Sequence, residues 1–156
     1  MTGWVWVIVP LAVWLAVIAV NSTDMASGVH TDALLLKLAR LFFSETGEES
    51  GGFSALSWFV RKLGHVIEYA LLAVLLARVG RRLLPRFVRG GGRELLWRTA
   101  AVAVPAGLLV ALADELHQTF VSSRTGKLSD VAIDVLGLLA GALSTGFVWQ
   151  RRNSLE

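Results

Sequence analysis

AVAVPAGLLVALADELHQTFVSSRTGKLSDVAIDVLGLLAGALSTGFVW, residues 101–149, decides the fold. Two apolar runs enclose a short, dense polar stretch. Residues 113–134 carry Asp114, Glu115, His117, Gln118, Arg124, Lys127, Asp130 and Asp134. Apolar runs of this length read as membrane spans. Ionisable groups where two spans meet are costly to hold there and mark a site by default.

The whole chain has the matching composition. It is 156 residues long, 54% hydrophobic and only 17% charged, with a mean hydropathy of +0.61. A soluble domain is about 25% charged. The expectation is one all-α, polytopic membrane domain over residues 1–156. With no cysteine, disulfides, thiolate chemistry and Cys-based metal sites are excluded. No phosphate-binding glycine loop, internal repeat or heptad run is present.

Working outward, four spans are predicted, at 4–20, 57–77, 99–120 and 130–149. The first, WVWVIVPLAVWLAVIAV, carries no charge and would cover about 26 Å as a helix. Pro10 should bend it without abolishing it. It lacks a basic start and a clear small-x-small cleavage site, so it reads as a retained anchor rather than a signal peptide. Residues 31–43, TDALLLKLARLFF, put Leu34, Leu35, Leu38, Leu41 and Phe42 on one helical face, away from Lys37 and Arg40. That segment is too short and too charged to span, and predicts an amphipathic interfacial helix between spans one and two. Residues 47–52, GEESGG, read as a turn.

The second span has charge only in its first half. There Arg61, His65 and Glu68 share one face, and Lys62 and Tyr69 a neighbouring one. Residues 78–98 then hold seven arginines against Glu94, and glycines 90–92 mark a loop. This cluster reads as a cytoplasmic, topology-setting loop that touches anionic lipid, with no nucleic-acid partner. Trp4, Trp6, Trp58, Trp97 and Trp149 stand near span ends as interfacial anchors; Trp14 does not.

Arginine distribution orients the chain. With both termini and the 78–98 loop inside, the inner segments hold nine Lys/Arg and two acidic residues; the outer ones hold six and ten. The positive-inside rule therefore predicts both termini in the cytoplasm. It also collects Arg61, His65, Glu68, Asp114, His117, Gln118, Arg124, Asp130 and Asp134 at one outward-facing end.

These residues resemble the VanZ-like family of bacterial membrane proteins. The resemblance covers about residues 57–141. It rests on a Lys-x-x-His-x-x-x-Tyr run (Lys62, His65 and Tyr69, with Glu68), then Asp114, Glu115 and Gln118. Arg124, Asp130 and Asp134 follow, before Gly137 and Gly141. The departure is Asp134, where many relatives carry Asn. The resemblance implies a multi-pass protein of the bacterial plasma membrane, with an envelope role associated with resistance to teicoplanin-type glycopeptides.

Three uses of the polar residues stand side by side. In an interhelical clamp, Arg61 or Arg124 pairs with Asp114 or Asp130, and His65 and Gln118 complete hydrogen bonds. In a binding site, Arg61, Lys62, Arg124 and Lys127 hold an anionic lipid head group, a lipid-linked cell-wall precursor or a glycopeptide. His65, Glu68, Tyr69, Asp114, Glu115, Gln118, Asp130 and Asp134 would share that ligand site, with segment 31–43 as a lid or side wall. In an enzyme acting on a lipid phosphate, His65 or His117 is the acid/base, oriented by Glu68 or Asp114. No nucleophile motif accompanies them; Ser122 and Ser123 are loop serines. No resident cofactor is expected. Of metals, only Mg²⁺ or Mn²⁺ on His65, Glu68, Asp114 and Asp130 enters consideration. Gly137 and Gly141 form a small-x-x-x-small strip for helix packing. The oligomeric state is left open.

Overall fold

The structure, a computed structural model, describes residues 2–23, 33, 35–37, 51–87, 92–121 and 127–153. Among these there are four long helices, α1 (Thr2–Asn21), α2 (Gly51–Leu83), α3 (Gly92–Gln118) and α4 (Leu128–Asn153), and no strand. All four are long and apolar enough to cross a membrane. Helices alone satisfy every backbone group within the segment, which is what a bilayer interior demands. α1 continues through Pro10 and α3 through Pro105. The amphipathic segment 31–43 lies largely outside the described residues. Of it, 33 and 35–37 are helical, with Leu36 buried and Lys37 exposed.

The helices outrun most of the predicted spans. α2 has 33 residues, about 50 Å of helix against about 30 Å of hydrocarbon. It takes in Gly51 and Gly52, expected in a turn, and Arg78, Arg81 and Arg82, expected in a loop. Gly92, also expected in the loop, opens α3. Arginine is a good helix former, and its stem carries the charge to water from a helix end. Charge therefore ended the apolar stretch without ending the helix. The exception is the end of the third span: Thr119 and Phe120 form a turn beyond Gln118, closed by Phe120 N donating to His117 O at 3.0 Å.

Contacts between helices give their directions. α1 and α3 run one way, α2 and α4 the other. At one end Arg81 lies over the Trp149 ring at 4.5 Å, and Arg82 over Trp4 at 5.9 Å. This arginine end also holds Arg98, paired with Glu94, and Arg151, over Phe147 at 4.5 Å. At the opposite, polar end, Asn21, Glu68, Asp114 and Asp130 come together from all four helices.

α4 is the central helix, packed most extensively on α3 and α2, whereas α1 rests on α2. One face of α4 is buried, including Asp134, Gly137, Leu138, Gly141 and Ala142. Its glycines explain the close approach. A Cβ on Gly137 would stand 2.5 Å from Val66 O, and one on Gly141 would collide with Ala70 O. On Gly146 it would stand 2.9 Å from Leu96 Cα, across on α3. Lipid tails are as apolar as leucine, so small residues that admit close backbone packing hold such a bundle together. Side chains such as Val9, Leu63, Ile67, Leu109 and Leu136 stay exposed on the outside, where acyl chains would cover them.

Candidate functional site

The polar end is built from α2 upward. Successive residues on a helix differ by about 100° in direction, so Arg61 and Lys62 face different neighbours. Lys62 points at α4 and pairs with Asp130, which also accepts from Ser129 Oγ at 3.2 Å. One turn deeper, His65 Nδ1 hydrogen-bonds Asp134 Oδ1 at 3.0 Å. Deeper still, the Tyr69 hydroxyl donates to Asp114 Oδ2 on α3 at 3.3 Å. Gln118 Nε2 donates to the same oxygen at 3.0 Å. The α2–α4 pairs form a ladder that continues into the Gly137 and Gly141 contacts.

On the other side of this ladder lies a cavity of about 240 Å³. Arg61, His65, Glu68, Asp114 and Gln118 line it, and Ile18 and Asn21 of α1, with the adjoining Ser22, close it. It thus holds a guanidinium, an imidazole, two carboxyl groups and two amides. Gly64 also faces it, and a Cβ there would meet nothing within 4 Å.

The expected site residues therefore divide. Arg61, His65, Glu68, Asp114 and Gln118 share the cavity. Lys62, Tyr69, Asp130 and Asp134 stand in the helix contacts beside it. Glu115 is 5% exposed and ties down the connection into α4, its Oε2 accepting from Lys127 N at 2.7 Å. His117 turns to α1 and hydrogen-bonds Ser22 Oγ at 2.8 Å. Arg124, with Ser122 and Ser123, lies outside the described residues.

Three pairings differ from expectation. Among the described residues the cation on Asp130 is Lys62, because Lys62 faces α4. The carboxyl group on His65 is Asp134 rather than Glu68 or Asp114, because Asp134 is on the helix that packs closest to α2. The partner of His117 is a serine. Among the described residues, no group of three or more His, Cys, Asp and Glu side chains is gathered as a metal site would need. Among the described residues, Asp134 Oδ2 and Glu115 Oε1 are buried without a hydrogen-bond partner.

Sequence reasoning found α1 but missed its part in the site. Trp14 Nε1 donates to Glu68 O at 3.0 Å, and Asn21 Nδ2 to Glu68 Oε1 at 3.0 Å. The available signals were Trp14, an indole N–H in mid-span that needs an acceptor, and the polar pair Asn21–Ser22 directly after the apolar run.

Among known families, the profile described as VanZ/LLP1 matches residues 6–149. The chain belongs to the VanZ/LLP1 family. No curated protein and no solved structure matches it significantly. The VanZ/LLP1 match extends beyond residues 57–141 to most of α1, where no motif was visible. In this VanZ/LLP1 chain, then, the helix that closes the cavity falls within the family's own extent.

Proposed function

We propose that the chain binds the head group of an anionic lipid, or of a lipid-linked cell-envelope precursor, in the cavity at its polar end. The cavity opens on the outer side of the bacterial plasma membrane, and both termini are cytoplasmic. The observation that carries this reading is the placing of Arg61 and His65 beside Gln118 and Asn21 in one cavity among membrane-spanning helices. Guanidinium is the side chain best shaped for phosphate, and amides add directional hydrogen bonds. Family membership supports an association with resistance to teicoplanin-type glycopeptides, through occupancy of an envelope lipid. Native mass spectrometry of the purified protein tests the reading. Anionic lipid should stay bound to the wild type and be lost in Arg61→Ala; equal retention by both would refute it.

A second reading, a hydrolase or transferase acting on a lipid phosphate, is favoured by one contact. Asp134, fully buried, holds His65 Nδ1 and leaves Nε2 as the second exchangeable nitrogen of a cavity-lining ring. A carboxylate behind an imidazole fixes its tautomer and orientation for proton transfer. Turnover of a lipid phosphate by wild type but not by His65→Ala would favour this reading. Retention without turnover favours binding alone.

A further inference from the structure

A second cavity, of about 270 Å³, lies on the far side of the α1 terminus, between α1 and α3. Leu15, Ala19, Val110 and Ala113 give it apolar walls, and His117 stands at its rim. Both cavities are lined by Ile18, Ser22 and Asp114. A polar chamber and an apolar crevice thus adjoin across the same three residues.

The crevice exists because α1 packs on α2 and makes little direct contact with α3. Ala19 and Ala113, both exposed, leave it open. A gap between two membrane-crossing helices is filled by acyl chains, since water there would leave apolar walls wet.

The geometry points to a two-part site for one membrane phospholipid: its head group in the polar cavity and an acyl chain in the crevice between α1 and α3. This rests on the head-group reading above and adds the route of the tail and the chemistry of the head. Glu68 and Asp114 share the polar cavity with Arg61 and His65. A bare phosphate would face two carboxyl groups as well as the guanidinium. A head group that pairs a phosphodiester with hydroxyl or amine donors satisfies both kinds of wall. The ligand is therefore a phosphodiester lipid with a donor-bearing head.

Two forms of phosphatidylglycerol, dioleoyl and dihexanoyl, provide the test with folded, detergent-purified protein. Ala113→Phe fills the crevice from an exposed position, and Ala19→Phe does so from the opposite wall, in case one variant folds poorly. Either should weaken the dioleoyl form at least tenfold and the dihexanoyl form less than twofold. Arg61→Ala should weaken both forms alike. A dioleoyl lipid with a diazirine in its chain should crosslink to Val110 or Ala113. If both phenylalanine variants hold the dioleoyl form unchanged while Arg61→Ala loses it, the tail route is wrong and the head-group reading survives. If Arg61→Ala is silent while the phenylalanine variants lose the dioleoyl form, the tail route stands and the head assignment falls. Crosslinking only to outer-belt residues such as Leu109 would overturn the tail route directly.

Discussion

Asp134 on α4, with no exposed surface, hydrogen-bonds His65 Nδ1 on α2 at 3.0 Å, one turn below the Lys62–Asp130 pair. A carboxyl group so placed needs a partner, since an unpaired buried polar group costs about 1–3 kcal/mol. His65 needs one too, being half-buried. Asp134→Ala should therefore destabilise the bundle by about 1–3 kcal/mol, read as a lower unfolding midpoint in detergent. Asp134→Asn keeps an acceptor for His65 and should lose less than half as much. Equal losses would mean that the charge, rather than the hydrogen bond, is what α2 requires.

Glycine contacts predict opposite signs at two positions. Gly141→Ala places a methyl against the Ala70 carbonyl, and backbone cannot swing aside as a side chain can. Overpacking of this kind costs about 1–3 kcal/mol. Gly64→Ala meets open space in mid-helix, where alanine is favoured by roughly 0.5–1 kcal/mol. Thermal unfolding of the two variants should move the midpoint down and up, respectively. A neutral Gly141→Ala would show that α2 and α4 are not held at this separation.

Trp14 tethers α1 to α2 through one indole hydrogen bond to Glu68 O. Trp14→Phe keeps an aromatic ring and removes the donor, at a cost of about 0.5–1.5 kcal/mol. Because α1 rests mainly on α2, the effect should be local: faster amide exchange in α1, with α3 and α4 unchanged. Uniform acceleration across all four helices would place α1 inside the cooperative core instead.

The chain contains no cysteine, so single cysteines report topology without background. Ser129→Cys, exposed at the polar end, should react with a membrane-impermeant maleimide in intact cells. Arg152→Cys, exposed at the arginine end, should react only after permeabilisation. The reverse pattern would put the cavity on the cytoplasmic side.

Much of this architecture was legible from the residues. Apolar runs around 4–20 and 130–149 announce helices that lipid can surround, because hydropathy acts locally and needs no knowledge of neighbours. The helix ends were misplaced at Gly51, Arg82 and Gly92, because charge reports where hydrocarbon stops and not where hydrogen bonding stops. Lys62, His65, Asp114, Gln118, Asp130 and Asp134 were identifiable as a group, since polarity in a span is conspicuous. Their pairing was not, because it depends on helix rotation and register.

By itself, then, the sequence determined four apolar helices, a basic end, a polar end and the glycines on which α4 packs, all written in side-chain chemistry along single segments. Tertiary structure alone decided that Asp134 serves His65, that Lys62 serves Asp130, that Trp14 ties α1 to Glu68, and that Ile18, Asn21 and the adjoining Ser22 complete the cavity. Those contacts join residues far apart in the chain, and which side chains meet is set by how closely and at what rotation the helices pack.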